Sequence, residues 1–334
     1  IHLTIETNLQ KFASERLKGM SASSVLMDIG SGEILSLVST PSYNPNNFVL
    51  GISQSNWNAL LNDERKPLLN KATSGAYPPG STFKMIVAAA ALELGLIGLK
   101  DKVFCPGFYE LGSRKFHCWL KGGHGKLTLQ EAIQKSCDVY FYELARKVGI
   151  KRIGAMARIL GLGQSYNLPL TGLSKGFVPT KKWKKERFGT SWLVGDTLNV
   201  GIGQGFSLAT PLQLAVMTAR LASGKKVTPN LIRTPDKDPD KPKDLSLRKS
   251  TLAYIRKGMF DVLNDKEGTA YKSRSTGENF LIAGKTGTSQ VRRITKEERE
   301  DGVIKNEDLP WKMRDHALFT CFAPYKNPKY ALSV

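Results

Sequence analysis

The 334-residue chain is 41% hydrophobic and 23% charged, which places it among globular proteins and excludes an intrinsically disordered one. Its length suffices for a sizeable core, in one large or two medium domains. Forty-nine basic against 29 acidic residues give a formal net charge of +20, but the basic residues are dispersed. Lys181-Lys182-Trp183-Lys184-Lys185 is one dense run, and no recognisable nucleic-acid module contains them, so nucleic acid is not expected as a partner. Such a surface fits anionic lipid, pyrophosphate or an anionic polymer. No run of 18 apolar residues and no signal peptide is present.

In chain order, Asn8 to Lys18 reads as a short amphipathic helix, and Ser23–Ile29 with Glu33–Val38 reads as a β-hairpin around Gly30-Ser31-Gly32. After a Pro-rich break at Pro41–Pro45, the stretch Tyr77-Pro78-Pro79-Gly80-Ser81-Thr82-Phe83-Lys84 hands a turn over to a helix running to Leu94. From Gly95 to about Gly163 the chain reads as loop-rich at first and then mainly helical, with helices at Leu127–Lys135 and Val139–Val148. Gly201-Ile202-Gly203-Gln204-Gly205 has the wrong spacing for a dinucleotide loop and reads as a tight turn. Thr210-Pro211 opens a helix to Ala222, with Thr as cap and Pro in the first turn. A solvated loop over 235–244, a helix at Leu252–Leu263, a buried strand Phe280–Gly284 and strands at His316–Ala323 and Tyr330–Val334 complete the reading. Strands at both ends with helices between imply one sheet assembled from distant segments.

Ser81 is the first candidate for chemistry. At a helix N-terminus, free N–H groups and the helix dipole favour an alkoxide and the oxyanion formed when it attacks a carbonyl. Lys84 lies three residues on, on the same face, and opens a helix that is apolar on every side. A lysine in such surroundings can take a proton from a serine hydroxyl. Two further short motifs stand downstream, Ser136-Cys137-Asp138 between helices and Lys285-Thr286-Gly287 beside a strand. Each alone is what an ordinary cap or turn looks like, but the ordered trio S-x-x-K, S-x-D and K-T-G is the combination of serine β-lactamases and penicillin-binding proteins.

The chain resembles the transpeptidase domain of a class B penicillin-binding protein over essentially its whole length. It is most similar to the cell-elongation type, penicillin-binding protein 2, on the Tyr77–Ser81 stretch, Gly195-Asp196-Thr197-Leu198-Asn199, Gly203-Gln204-Gly205 followed by Thr210–Ala215, and Arg314-Asp315-His316-Ala317. The resemblance implies an α+β fold: a five-stranded antiparallel sheet flanked by helices on both faces, in one domain over 1–334, with a mainly helical subdomain at about 95–165. It also implies that both ends are cuts, with an N-terminal membrane anchor and pedestal and the end of the last strand and a helix missing. Ser81 is then the nucleophile acylated by the penultimate D-alanine of a peptidoglycan stem peptide, Lys84 its base and Ser136 the proton relay. Lys285 keeps the site positive and holds down the pKa of Lys84, while Thr286, Gly287 and Thr288 form the wall that receives the substrate carboxylate. Backbone N–H groups of Ser81 and Thr288 form the oxyanion hole. Asp138 replaces the more usual Asn, which removes a hydrogen-bond donor from this loop. β-Lactams are expected to stop at the acyl stage. Implied partners are a glycosyltransferase and other elongation-complex proteins at the periplasmic face of the bacterial inner membrane. A penicillin-recognising sensor or silent binding module on the same fold is the other reading.

Cys105, Cys118 and Cys137 fall within 33 residues, with His124 between the last two, at a spacing C-x12-C-x5-H-x12-C that matches no common zinc finger. Either two of these cysteines form a disulfide, or Cys105, Cys118, His124 and Cys137 hold a structural zinc beside the S-x-D motif. The resemblance favours zinc, because some elongation-type members carry an Asp, His and Cys zinc site in this region. It implies no organic cofactor. Cys321, in an apolar strand, reads as a core residue.

Overall fold

The computed structural model describes residues 1–334 apart from 235–240, 278–279, 293, 296–297 and 299–301. The chain opens with β1 (His2–Leu3), α1 (Thr7–Arg16), the hairpin β2 (Ala22–Asp28) and β3 (Ile34–Thr40), and α2 (Gln54–Asn62). A 3-10 turn at Gly80–Phe83 leads into α3 (Lys84–Glu93). Next come two small antiparallel ribbons, in which β4 (Val103–Cys105) pairs with β7 (Gly125–Leu127) and β5 (Phe108–Leu111) with β6 (Arg114–His117). They occupy what reads in sequence as a loop-rich start, because strands of three or four residues interrupted by glycines leave almost no period to detect.

Helices α4 (Leu129–Gln134), α5 (Asp138–Val148) and α6 (Ile150–Ile159) follow, then α7 (Lys181–Phe188), α8 (Val194–Gly201) and α9 (Pro211–Ser223). Thr210 caps α9 as expected, in a reciprocal capping box with Gln213. β8 (Ile232–Arg233) pairs with β1, and α10 (Lys249–Asn264), β9 (Ala283–Ser289), β10 (His316–Ala323) and β11 (Tyr330–Ser333) end the chain. The loop expected over 235–244 lies mostly outside the described residues. The buried strand expected from Phe280 begins only at Ala283: Phe280 is 46% exposed, and the Ile282 carbonyl accepts from Asn264 Nδ2 at 2.9 Å instead of a strand neighbour.

The five-stranded antiparallel sheet is present, in the order β3-β2-β11-β10-β9, with helices packed against it. Two in-register rows, Met27–Ala331–Phe322–Ala283 and Val25–Ser333–Thr320–Lys285, share one face and are almost completely buried. α9 packs over β2, β11 and β10, and α10 over β9. The α3 helix is buried from Lys84 through Leu92 and touches α5, α6 and α10, so its all-round apolar surface is spent at the centre of the molecule. Lys285 thus sits at the end of a buried row in the edge strand β9, and Ser81 and Lys84 at the entry of the central helix.

Candidate active site

Ser81 lies in the 3-10 turn that enters α3. Gly80 takes φ +52°, and a Cβ there would lie 2.3 Å from the Thr288 carbonyl oxygen. Gly203 is equally constrained: its Cβ would meet the Gly80 carbonyl oxygen at 2.1 Å, while the Gly80 N–H donates to the Gly203 carbonyl at 2.9 Å. The turn read in sequence around Gly203 is therefore a seam where three backbones meet, and only glycine permits that approach. Gln204 closes it by donating Nε2 to the Thr288 carbonyl at 2.8 Å.

Lys84 is fully buried, and its three donors have three partners: the Ser136 carbonyl at 2.8 Å, Ser136 Oγ at 3.3 Å and Asp138 Oδ1 at 2.7 Å. Ser136 is held at φ +54°, a left-handed conformation that costs a non-glycine residue about 1–3 kcal/mol. The strain aims both its carbonyl and its hydroxyl at Lys84. Trp119 fixes the same loop from outside, its backbone N–H donating to Asp138 Oδ2 at 2.9 Å and its indole Nε1 to the Lys135 and Ser136 carbonyls, each at 3.1 Å.

On β9, Lys285 is completely buried and donates to the Thr286 carbonyl at 3.0 Å. Burial, reinforced by the nearby Lys84 and opposed in part by Asp138, holds its amine well below the ordinary lysine value. Thr286 Oγ1 lies 2.8 Å from Thr269 Oγ1. Ser81, Ser136, Asp138, Thr286, Gly287 and Thr288 all line one open cleft of about 1420 Å³, with Trp119, Asn199, Gln204 and Thr269 on its walls. The structure so brings together every sequence-expected residue of the three motifs, with Lys84 and Lys285 buried just beneath.

All four cysteines are free thiols. The ligand atoms of Cys105, Cys118, His124 and Cys137 lie within 4.8 Å of one another, the three sulfurs buried and His124 half-buried. His124 Nδ1 is 3.6 Å from Cys105 Sγ and 3.5 Å from Cys118 Sγ. Hydrogen bonding from Cys137 holds the Cys118 and Cys105 thiols below the ordinary value, and Cys137 is pushed up in return. Burial pulls His124 down, but its hydrogen bonds to Cys118 and Cys105 more than offset this and leave it raised.

A family model described as the penicillin binding protein transpeptidase domain matches residues 22–334. The chain belongs to the penicillin-binding protein transpeptidase family. Among curated members of that family, peptidoglycan D,D-transpeptidase MrdA of Haemophilus influenzae is 38% identical over 100% of this chain and 52% of that protein. MrdA of Escherichia coli K12 is 37% identical over 100% of this chain and 54% of that protein. This penicillin-binding transpeptidase chain therefore spans about half the length of the curated relatives it matches. Pseudomonas aeruginosa PBP2, solved in complex with WCK 5153, is 39% identical with a TM-score of 0.87, covering 99% of this chain and 72% of that one. Helicobacter pylori PBP2, solved with MreC, gives 38% and 0.88, covering 99% of this chain and 59% of that one.

Trp119 and Thr269 carry no motif signal and were not legible as site residues; Asn199 ends the Gly195–Asn199 stretch that carries part of the resemblance, without being singled out for the site. Gln204 stood inside the Gly203–Gly205 turn, itself part of the resemblance, where a polar residue between two glycines was a further hint.

Proposed function

We propose that this chain is the catalytic domain of a peptidoglycan D,D-transpeptidase of the cell-elongation type, working through an acyl-enzyme on Ser81. The convergence of Ser81, the Lys84–Ser136–Asp138 cluster and the Lys285–Thr288 strand on one cleft carries this reading. Ser81 Oγ attacks the carbonyl of the penultimate D-alanine and Lys84 takes the hydroxyl proton. The peptide C–N bond then breaks, Ser136 passes a proton to the departing D-alanine nitrogen, and an amine of a second stem peptide attacks the ester to form the cross-link. To accept the Ser81 proton the Lys84 amine must be neutral, its lone pair standing in place of one of the three donors it presents here; the Ser136 Oγ contact, the longest of them, is the one given up as it turns to Ser81.

Within a strand, the N–H and C=O of one residue point to the same side. The Thr288 carbonyl faces Gly80 and Gln204, so its N–H lies on that side too, next to the Ser81 turn. This supports Thr288 and Ser81 as the two oxyanion-hole donors, each worth about 2.7–4 kcal/mol in the transition state. Lys285, Thr286 and Thr288 receive the substrate carboxylate. β-Lactams acylate Ser81 and stop there, since the leaving nitrogen stays tethered and blocks the acceptor.

The four-residue cluster fits a structural zinc. With Zn–S near 2.3 Å and Zn–N near 2.0–2.1 Å, tetrahedral ligands place sulfur and nitrogen about 3.6 Å apart, the spacing His124 Nδ1 keeps from Cys105 and Cys118. Cys105, Cys118, His124 and Cys137 would hold the ion, and it would fix the Ser136 loop without entering the chemistry. PBP2 of H. pylori, solved with MreC, and a peptidoglycan synthase complex that coordinates polymerization and crosslinking, at 29% identity, support elongation-complex proteins and a glycosyltransferase as partners; the reading places the chain at the periplasmic face of the inner membrane.

The test is covalent labelling with a fluorescent penicillin, followed by cross-linking of a lipid-linked peptidoglycan precursor. Labelling of wild type and not of Ser81→Ala, together with dimeric stem products, is expected. Labelling without products would leave the sensor reading standing; no labelling would remove both.

A further inference from the structure

Thr269 belongs to none of the three motifs, yet its hydroxyl lies 2.8 Å from that of Thr286 in the cleft. The turn that carries it is held from both sides. Its N–H reaches the Gln134 carbonyl at 3.4 Å, two residues before Ser136, and the Gln134 side chain donates to Asp265 at 2.8 Å. Gly268, immediately before it, packs so closely that a Cβ would meet the Val262 carbonyl at 2.3 Å, and the next N–H, of Ala270, bonds that same carbonyl at 2.9 Å. A fixed backbone therefore presents the Thr269 hydroxyl to the edge strand β9.

A hydroxyl has one proton to give. For Thr286 to donate to an anionic ligand group, its oxygen must take any other contact as an acceptor. Lys285 Nζ, at 3.5 Å, is too far to fix that direction alone. We propose, resting on the transpeptidase reading above, that Thr269 is a positioning residue for carboxylate recognition: it donates to Thr286 Oγ1 and thereby points the Thr286 proton at the substrate carboxylate. The chain Thr269 O–H to Thr286 O–H to carboxylate polarises along its length, so each bond strengthens the next. The role is one of specificity and not of bond-making, since Thr269 acts through Thr286.

The test compares acylation of Ser81 by benzylpenicillin and by its methyl ester, followed by intact mass, in the full chain and in Thr269→Val and Thr269→Ser. Thr269→Val should slow acylation by the free acid about 3- to 10-fold, the range one lost hydrogen bond gives. The ester rate should stay within twofold, so the preference for the carboxylate collapses, and Thr269→Ser should restore it. Equal slowing of acid and ester by Thr269→Val would mark a merely structural residue and overturn the proposal, as would an unchanged preference. If wild type takes up neither compound, the transpeptidase reading itself falls and this proposal with it.

Discussion

The backbone N–H of Trp119 donates to Oδ2 of Asp138 at 2.9 Å, while Oδ1 of the same carboxylate holds Lys84 at 2.7 Å. The residue next to Cys118 is thereby one carboxylate away from the base of the proposed reaction. Stripping the proposed zinc with a chelator, or Cys137→Ser, is expected to release this tie. Both should lower the melting temperature, change Trp fluorescence and slow penicillin acylation about tenfold or more, since loss of a direct ligand or of the ion should cost at least what loss of an outer-shell partner does. Native mass and fluorescence on one sample check this; a protein that purifies metal-free and acylates normally would end the zinc assignment.

Lys84 and Ser136 form one hydrogen-bonded unit and should behave as one. Lys84→Met and Ser136→Ala are each expected to cut acylation by about 10²–10⁴-fold, the range of general acid–base contributions. The double variant should be little worse than the weaker single, because effects within a unit do not add. Stopped-flow acylation rates for the four proteins decide it, and strictly multiplicative losses would show that the two residues act separately.

Gly80 and Gly95 both have positive φ, at +52° and +64°, but only Gly80 is crowded; around Gly95 nothing lies within 4 Å of an added Cβ. Gly95→Ala should cost about 1–2 kcal/mol for the left-handed backbone alone and leave acylation intact. Gly80→Ala must also push the Thr288 carbonyl aside, so it should destabilise more and abolish labelling. Equal melting temperatures for the two variants would count against the three-backbone seam.

Lys285 gives the pH dependence. Its amine is lowered by burial first and by Lys84 second, against the pull of Asp138. A lowered amine loses its charge as pH rises through the folded value, so preference for a free carboxylate should fade on the alkaline side, below the ordinary lysine value of 10.5. Between those two values the unfolded chain binds more protons than the folded one, so this group's contribution makes folding less favourable as pH falls through that window. The ratio of acid to ester acylation against pH reads the first effect. Lys285→Met should flatten that ratio; a limb at the ordinary lysine position would contradict the burial argument.

The hairpin, the buried α3 helix, the Thr210 cap and the three motifs were legible because each is written in consecutive residues. So were the helices at 127–135, 139–148 and 252–263 and the strand at His316–Ala323, while the number and order of strands in the sheet came only through the family resemblance. What escaped were relationships whose partners are backbone atoms far along the chain. Gln204 serves a carbonyl 84 residues away and Trp119 two carbonyls at positions 135 and 136. The strained φ of Ser136 has no sequence mark, since serine seldom adopts it. Phe280 and Leu281 read as strand on apolarity alone, but they precede the ladder: the Leu281 carbonyl takes the Tyr325 N–H at 2.8 Å, beyond the ends of β9 and β10.

The two edges of the main sheet have different fates. At β3, the Gln10 side chain takes both the N–H and the carbonyl of Leu37, at 2.8 and 2.9 Å, and the Glu6 N–H takes the Leu35 carbonyl at 2.9 Å. A side-chain amide there stands in for a sixth strand and stops growth of the sheet in that direction. β9 turns its outer edge toward the cleft, and in the proposed reaction an extended stem peptide would dock along it, in a register counted from Thr288, whose carbonyl Gln204 already holds at 2.8 Å. On such an edge, a slip by one residue would turn its side chains to the opposite faces, and the sheet itself then becomes the ruler that decides which carbonyl reaches Ser81.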